Sequence, residues 1–218
     1  YYWRSKFVPH PKILGRVGMK LLVLSRYKLG KAYRHKLAST PGKPLNRDFN
    51  IKRAFLTVEV PTTGARTLTL INTHLEAFTE GTNVLQVQLQ QIKEYLELLN
   101  THGVPWILGG DFNALPPGQY ERLPPADRAA YTNRAELREL FENYSGVPTI
   151  NDATGPLAGR FFTFTQSDKG SRRPCRTLDY LFVSSMLRIA SYQVEQEMVL
   201  NLSDHLPVVA VIEWKGRG

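Results

Sequence analysis

Residues 104–113, VPWILGGDFN, decide how the rest of the chain is read. The apolar run VPWIL has the length of a buried strand, and Gly109-Gly110 end it, so Asp111 and Asn113 emerge at a strand's carboxyl end. Upstream, over residues 83–100, Leu85, Leu89, Ile92, Leu96 and Leu99 recur at spacings of 4, 3, 4 and 3, which places them on one face of a helix. Thr82 or Asn83 suits its cap and His102-Gly103 its stop. Before the helix, residues 53–60 (RAFLTVEV) and 66–73 (RTLTLINT) are strand-like runs joined by PTTGA, a turn sequence that predicts a hairpin. Strand, helix, strand in that order is a βαβ-like unit, and such units gather ligands beyond the carboxyl ends of their strands.

Working outward, residues 19–25 (MKLLVLS) read as a buried strand and residues 27–48 as a basic, turn-rich loop. Residues 114–130, rich in Pro and Arg, read as a long loop that opens with the rigid segment Leu115-Pro116-Pro117-Gly118. Residues 133–144 predict a second amphipathic helix, and residues 160–165, 177–183, 192–198 and 206–214 predict further strands. Trp106, Phe112 and Trp214 lie in or beside apolar strands and are expected in the core. No repeat or linker divides the sequence, so residues 1–218 are expected to form one domain.

Composition narrows the chemistry. The 218 residues hold 42% hydrophobic and 22% charged residues, the profile of an ordinary globular protein. A single cysteine, Cys175, excludes an intramolecular disulfide framework and a cysteine-based zinc cluster. No apolar run reaches membrane-spanning length, and the first residues, which lack an initiator Met, carry no signal-peptide pattern; the compartment is left open. The net charge of +9 is unevenly placed: residues 1–60 hold 14 Lys+Arg against 2 Asp+Glu, and the remainder is slightly acidic. That asymmetry suits an anionic partner, which could be nucleic acid, lipid headgroups or a phosphorylated small molecule.

Four places put acid/base or metal-capable side chains at strand ends, where packing alone gives no reason for them. They are Asn72-Thr73-His74, Asp111-Phe112-Asn113, Asp179 and Asp204-His205. Three aspartates, two histidines and an asparagine can together bind a hard divalent cation, orient a water and stabilise a developing oxyanion.

The strings INTHLEAF, ILGGDFNALPPG, RTLDYLFVSS and LSDHLPVVAVIEW, preceded by KLLVLSRYKL and IKRAFLTVEV, resemble the endonuclease/exonuclease/phosphatase superfamily across residues 18–214. The HLEAF and GDFNALPPG wording is most similar to bacterial members. The resemblance implies a deoxyribonuclease I-like α/β (α+β) fold, a four-layer sandwich of two packed β-sheets flanked by helices. It implies Mg²⁺-dependent hydrolysis of phosphoester bonds, with Mn²⁺ as an alternative ion. On the matching positions, His205 would be the base that activates water and Asp179 would orient its imidazole. His74 and Asn113 would bind phosphoryl oxygens, and Asp111 would position the water. Asp204, together with Asp111, would contribute to the metal site; Asn72 and Arg176 would assist substrate binding, with Arg172 and Arg173 beside the latter.

The sequence departs from the superfamily in lacking the leading strand that ends in Asn and the second that ends in Gln-Glu, the Glu being the main metal ligand there. The domain is therefore expected to be incomplete at its N-terminus. A second departure is Gly18-Met19-Lys20, where a Gly-Asn pair is usual. Glu76, two residues beyond His74, reads as an exposed loop carboxylate rather than a substitute ligand. Three functions stay open: a metal-dependent hydrolase with its substrate unassigned; an endo- or exonuclease that grips DNA or RNA through the basic N-terminal region, with Tyr1, Tyr2, Trp3 and Tyr27 as stacking surfaces; and a non-catalytic phosphate-binding fragment. Anionic lipid headgroups are a further candidate partner, and the oligomeric state is left unassigned.

Overall fold

The computed structural model describes residues 2–4, 8–10, 13–17, 20–39, 52–63, 67–77, 81–168, 171–197 and 202–216. Four short strands come first: β1 (Tyr2–Arg4), β2 (Val8–His10), β3 (Ile13–Val17) and β4 (Lys20–Leu22). They are followed by β5 (Ala32–Lys36), β6 (Ala54–Pro61), β7 (Thr67–His74), helix α1 (Val84–Thr101) and β8 (Trp106–Asp111). Next come α2 (Pro125–Arg128), α3 (Arg138–Asn143), β9 (Ser145–Val147) and α4 (Ile150–Thr154). The chain ends with β10 (Phe164–Asp168), β11 (Ser171–Arg176), β12 (Asp179–Val183), β13 (Leu187–Val194) and β14 (Val208–Trp214).

The expected hairpin is β6–β7, and the expected βαβ unit is β7–α1–β8, its two strands parallel with His74 beside Asp111. Both belong to a six-stranded sheet of order β5-β6-β7-β8-β12-β9, in which only the β7–β8 pair is parallel. The apolar face of α1 packs on this sheet: Leu85, Leu89, Ile92 and Leu96 share one buried cluster with Phe55, Ile71, Trp106, Leu108, Tyr180 and Phe182. Leu140 and Phe141 of α3 join the same cluster, so the helices cover one face. Against the other face lie β4, whose Leu21 packs on Leu56 and Val58, and the antiparallel pair β13–β14, which contacts β12. No helix among the described residues is long and apolar enough to cross a membrane.

A polar residue on the apolar face of α1 has a bracing task. Gln88 is fully buried; its side-chain oxygen accepts from the Glu76 amide (2.9 Å), and its nitrogen donates to the Ala38 carbonyl (2.7 Å). Satisfied at both ends, it ties the segments that follow β5 and β7 to the helix.

Several expectations are corrected. Within the segment read as a loop, residues 32–36 form the edge strand β5, because His35 stacks on Phe55 with ring centroids 4.4 Å apart and is thereby drawn into the sheet. The buried strand of residues 19–25 reduces to β4, and Leu24 is 83% exposed. The second helix forms only over residues 138–143, and a 3₁₀ turn occupies Ala158–Phe161, so β10 starts at Phe164. Trp106 and Phe112 are fully buried as expected, whereas Trp214 is 36% exposed at the end of β14. Residues 40–48 of the predicted loop and the side chains of Tyr1, Tyr2 and Trp3 lie outside the described residues.

Two local devices set the position of the strand ends. Gly110 has φ +146°, and a Cβ there would overlap the backbone of Thr73, so β7 and β8 approach as closely as they do only because this residue is glycine. Thr163, fully buried, uses one hydroxyl oxygen to accept from the amides of Leu178 (2.9 Å) and Asp179 (3.0 Å), while its carbonyl accepts from Leu206 N (2.7 Å). One residue thereby fixes the start of β12 and the chain just after His205.

These devices predict two stability results. In urea unfolding, Gly110→Ala is expected to cost at least ~2 kcal/mol, because backbone on both sides has no room to yield. Gly109→Ala should cost clearly less, since its Cβ would meet only the movable end of Leu181, 2.6 Å away; equal losses would refute the assignment. Thr163→Val keeps the shape but strands two buried amides, with an expected loss of ~1–3 kcal/mol that Thr163→Ser restores.

Candidate active site

The sheet register assembles the site. His74 at the end of β7 is paired with Asp111 at the end of β8, and Asp111 with Asp179 at the start of β12, so three side chains of one row project from one face. The fourth, His205, comes from the segment before β14, which a single bridge to Phe164 holds over that row. Nδ1 of His205 lies 2.9 Å from Asp179 Oδ2, and its Nε2 lies 3.8 Å from Asp111 Oδ2. His74 Nε2 is 3.2 Å from the same Asp111 oxygen.

Asn113 completes the group. Its amide donates to Asp111 Oδ1 (2.8 Å), and its side-chain nitrogen donates to Asp111 Oδ2 (3.2 Å) and to the Leu75 carbonyl (3.0 Å). This double reach needs a left-handed backbone, φ +49°, which asparagine tolerates better than most residues. The loop beneath is pinned by Tyr180, whose hydroxyl lies 3.0 Å from the Ala114 carbonyl and 2.8 Å from that of Thr177. Gln119, also buried, accepts from Thr177 N (3.0 Å) and donates to the Ala153 carbonyl (2.8 Å), which fixes the far end of the same loop.

Electrostatics separate the roles. Burial, with Arg53 and His205 nearby, lowers the His74 pKa to about 4, so at neutral pH its 3.2 Å contact with Asp111 is made by a neutral ring and is not an ion pair. Burial and the neighbouring Asp179 charge raise Asp111 to about 6. For His205, burial works toward a lower value, but the hydrogen bond and charge of Asp179, with Asp111 and Asp204 behind it, prevail and lift the imidazole to about 9. Asp111, Asp179 and His205 offer ligand atoms within 4.8 Å of one another. Two neighbouring carboxylates next to an imidazole, with Asp111 held back from ionising by burial and by the Asp179 charge, form a donor set that a hard divalent cation would satisfy.

Of the residues singled out in the sequence, His74, Asp111, Asn113, Asp179 and His205 are brought together. Asp204 is exposed and stands outside the three-ligand group; its carbonyl accepts from Thr165 N (2.8 Å). Asn72 shares the face of His74 but donates to the Leu22 carbonyl (3.0 Å), bracing β4 on β7. Arg176 is buried, its guanidinium 5.3 Å from the Tyr131 ring and 5.4 Å from that of Phe164, and it contacts Gln166 (2.9 Å) and Asp127 (3.4 Å). Arg176 reaches the site indirectly, because the Phe164 ring meets His205 edge-on at 5.1 Å. Glu76, read as exposed, is a partly buried carboxylate 3.4 Å from Arg53.

Sequence reasoning missed Arg53, buried at 6% exposure, whose charge is felt by both His74 and Asp111. The hairpin register carried the signal: Phe55 pairs with Thr73, so Arg53 enters its strand beside the end that bears His74. Thr163 was missed as well, and no pattern in the sequence marks it.

The family model described as Endonuclease/Exonuclease/phosphatase family matches residues 1–205. No curated protein matches the chain. Among solved structures, the human nocturnin catalytic domain with bound sulfate anion is 19% identical, with a TM-score of 0.57, over 98% of this chain and 73% of that one. An endonuclease/exonuclease/phosphatase from Beutenbergia cavernae is 20% identical, with a TM-score of 0.60, over 99% and 54%. D. rerio TDP2 complexed with single strand DNA product is 15% identical, with a TM-score of 0.56, over 98% and 76%. The chain thus spans about half the length of the Beutenbergia protein and about three quarters of the other two. At such identities these likenesses speak to the fold, which is mixed α+β and deoxyribonuclease I-like. The family match covers nearly the whole sequence, and the chain belongs to the endonuclease/exonuclease/phosphatase family.

Proposed function

We propose that the chain is a divalent-metal-dependent hydrolase of phosphoester bonds in which His205, held by Asp179, activates water. The observation that carries this reading is the His205 imidazole, Nδ1 engaged by Asp179 at 2.9 Å and Nε2 turned toward Asp111. A carboxylate on Nδ1 fixes the tautomer whose Nε2 lone pair faces the site, which is what a general base needs. Asp111 lies where it can accept a hydrogen bond from the same water. His74, neutral at pH 7, and the side-chain amide of Asn113, which face Asp111 in the ligand-free site, would turn their N–H groups to phosphoryl oxygens when substrate is bound. Arg53 supplies positive charge behind them.

Asp111 and Asp179 would hold the cation, Mg²⁺ in this reading, and Asp204 is close enough in sequence to contribute from the rim. When bound, the ion offsets negative charge on the phosphoryl group. Nucleic acid is the substrate class best supported, because the basicity lies in the first sixty residues and D. rerio TDP2 shares the fold.

Hydrolysis of an aryl phosphodiester tests the reading. Turnover should require Mg²⁺, vanish in EDTA and fall by ~10²- to 10⁴-fold in His205→Ala. A folded protein that binds phosphodiesters yet never turns them over in Mg²⁺ would replace the enzyme reading with the binding module.

The pH profile follows with its sign. A base must be neutral to act, so with His205 lifted to about 9 in the metal-free protein, kcat/KM should rise with pH through the alkaline range. Saturating Mg²⁺ opposes protonation and should move that limb to lower pH. The same pair contributes stability that is fully present below the ordinary imidazole value of ~6.5 and is lost as pH rises through about 9. In Asp179→Asn the limb should drop toward ~6.5 while the maximal rate falls.

A further inference from the structure

The row of sheet positions that forms the site continues past it on one side. Beyond His74, one step past the Phe55–Thr73 pair, stands Ala54 of β6, and beside Ala54 stands Lys36 of β5. Facing follows from neighbours: His35 stacks on Phe55 and packs 4.7 Å from the Tyr95 ring of α1, so the next residue, Lys36, projects from the opposite face. That is the face of His74 and Asp111. Lys36 is exposed, and Ala54 between it and His74 is small and buried. With ~4.8 Å between strands, the Lys36 backbone lies ~10 Å from that of His74, within reach of a flexible ammonium arm.

The charge on the two flanks differs. Residues 20–39, on the β5 side, contain six Lys+Arg and no Asp or Glu. On the far side, residues 142–152, around β9, contain Glu142 and Asp152 and no Lys or Arg. An anion that occupies the site over His74 and Asp111 is therefore drawn along the row toward β5 and away from β9.

Resting on the phosphoester-hydrolase reading, we propose that Lys36 is a second phosphate position, and that the substrate is a single-stranded oligonucleotide lying along the sheet's end. Its reacting phosphate sits over His74 and Asp111, and a further backbone phosphate pairs with Lys36. Lys36 contributes a point charge to a diester backbone, carries no base preference, and makes affinity salt-dependent. A phosphomonoester with a single charged group has nothing to offer it.

The test is binding of a labelled short oligothymidylate to the full chain in EDTA, by fluorescence anisotropy across a salt series, with binding of inorganic phosphate as reference. Lys36→Ala should weaken oligothymidylate by ~3- to 10-fold at low salt and make the slope of log K against log salt shallower by ~0.7, while Lys36→Arg retains both. The ratio of oligothymidylate to phosphate affinity must fall in Lys36→Ala. An unchanged slope, an equal loss for inorganic phosphate, or no oligothymidylate binding at all overturns the proposal. Lys36→Ala that leaves oligothymidylate binding intact but weakens capture by phosphatidylserine vesicles overturns it as well, and hands the position to a membrane surface. Because binding is read without turnover, failure of the hydrolase assay and failure of this subsite are told apart.

Discussion

The backbone of β7 and the backbone of β8 meet at Gly110, where no side chain could be accommodated against Thr73. That contact sets the parallel register that puts His74 beside Asp111, and the antiparallel β12 then adds Asp179 to the row. A slip by one residue would turn all of these side chains to the helix-covered face. The chemistry of the site depends on this register before it depends on any one functional group.

Within the row, the groups act by opposition. Asp111 is held back from ionising by burial and the neighbouring Asp179 charge, one histidine is kept neutral by burial and a nearby guanidinium, and the other is driven toward its charged form by its carboxylate partner. Such separation of pKa values among neighbours is the arrangement that acid/base chemistry requires. Asn113 binds both oxygens of Asp111 and so fixes the orientation of the carboxylate that all the other groups face.

Helix α1 and the β6–β7 hairpin could be read from sequence because their signals are local: a leucine periodicity in one case, a turn pentapeptide between apolar runs in the other. The strand ends that bear His74, Asp111, Asp179 and His205 were legible for a related reason, since polar residues there interrupt apolar runs. Strand β5 was not, because a basic edge strand has no apolar alternation of its own and is recruited by the stacking of His35 on Phe55. Arg53 and Thr163 escaped because their partners are distant in sequence. Arg176, chosen for its charge, is instead enclosed between two aromatic rings, a position set by tertiary packing alone.

The five grouped residues come from four segments, at positions 74, 111–113, 179 and 205, and every step between them bridges a long stretch of chain, 26 residues at the shortest. The loops between them must be closed before any of the short contacts can form, at an entropic cost that rises with separation. A partly folded chain can therefore hold α1 and the β6–β7 hairpin and still have no site. Assembly of the site in this architecture is a late, all-or-none property of folding, reached only when the whole row of strand ends is in place.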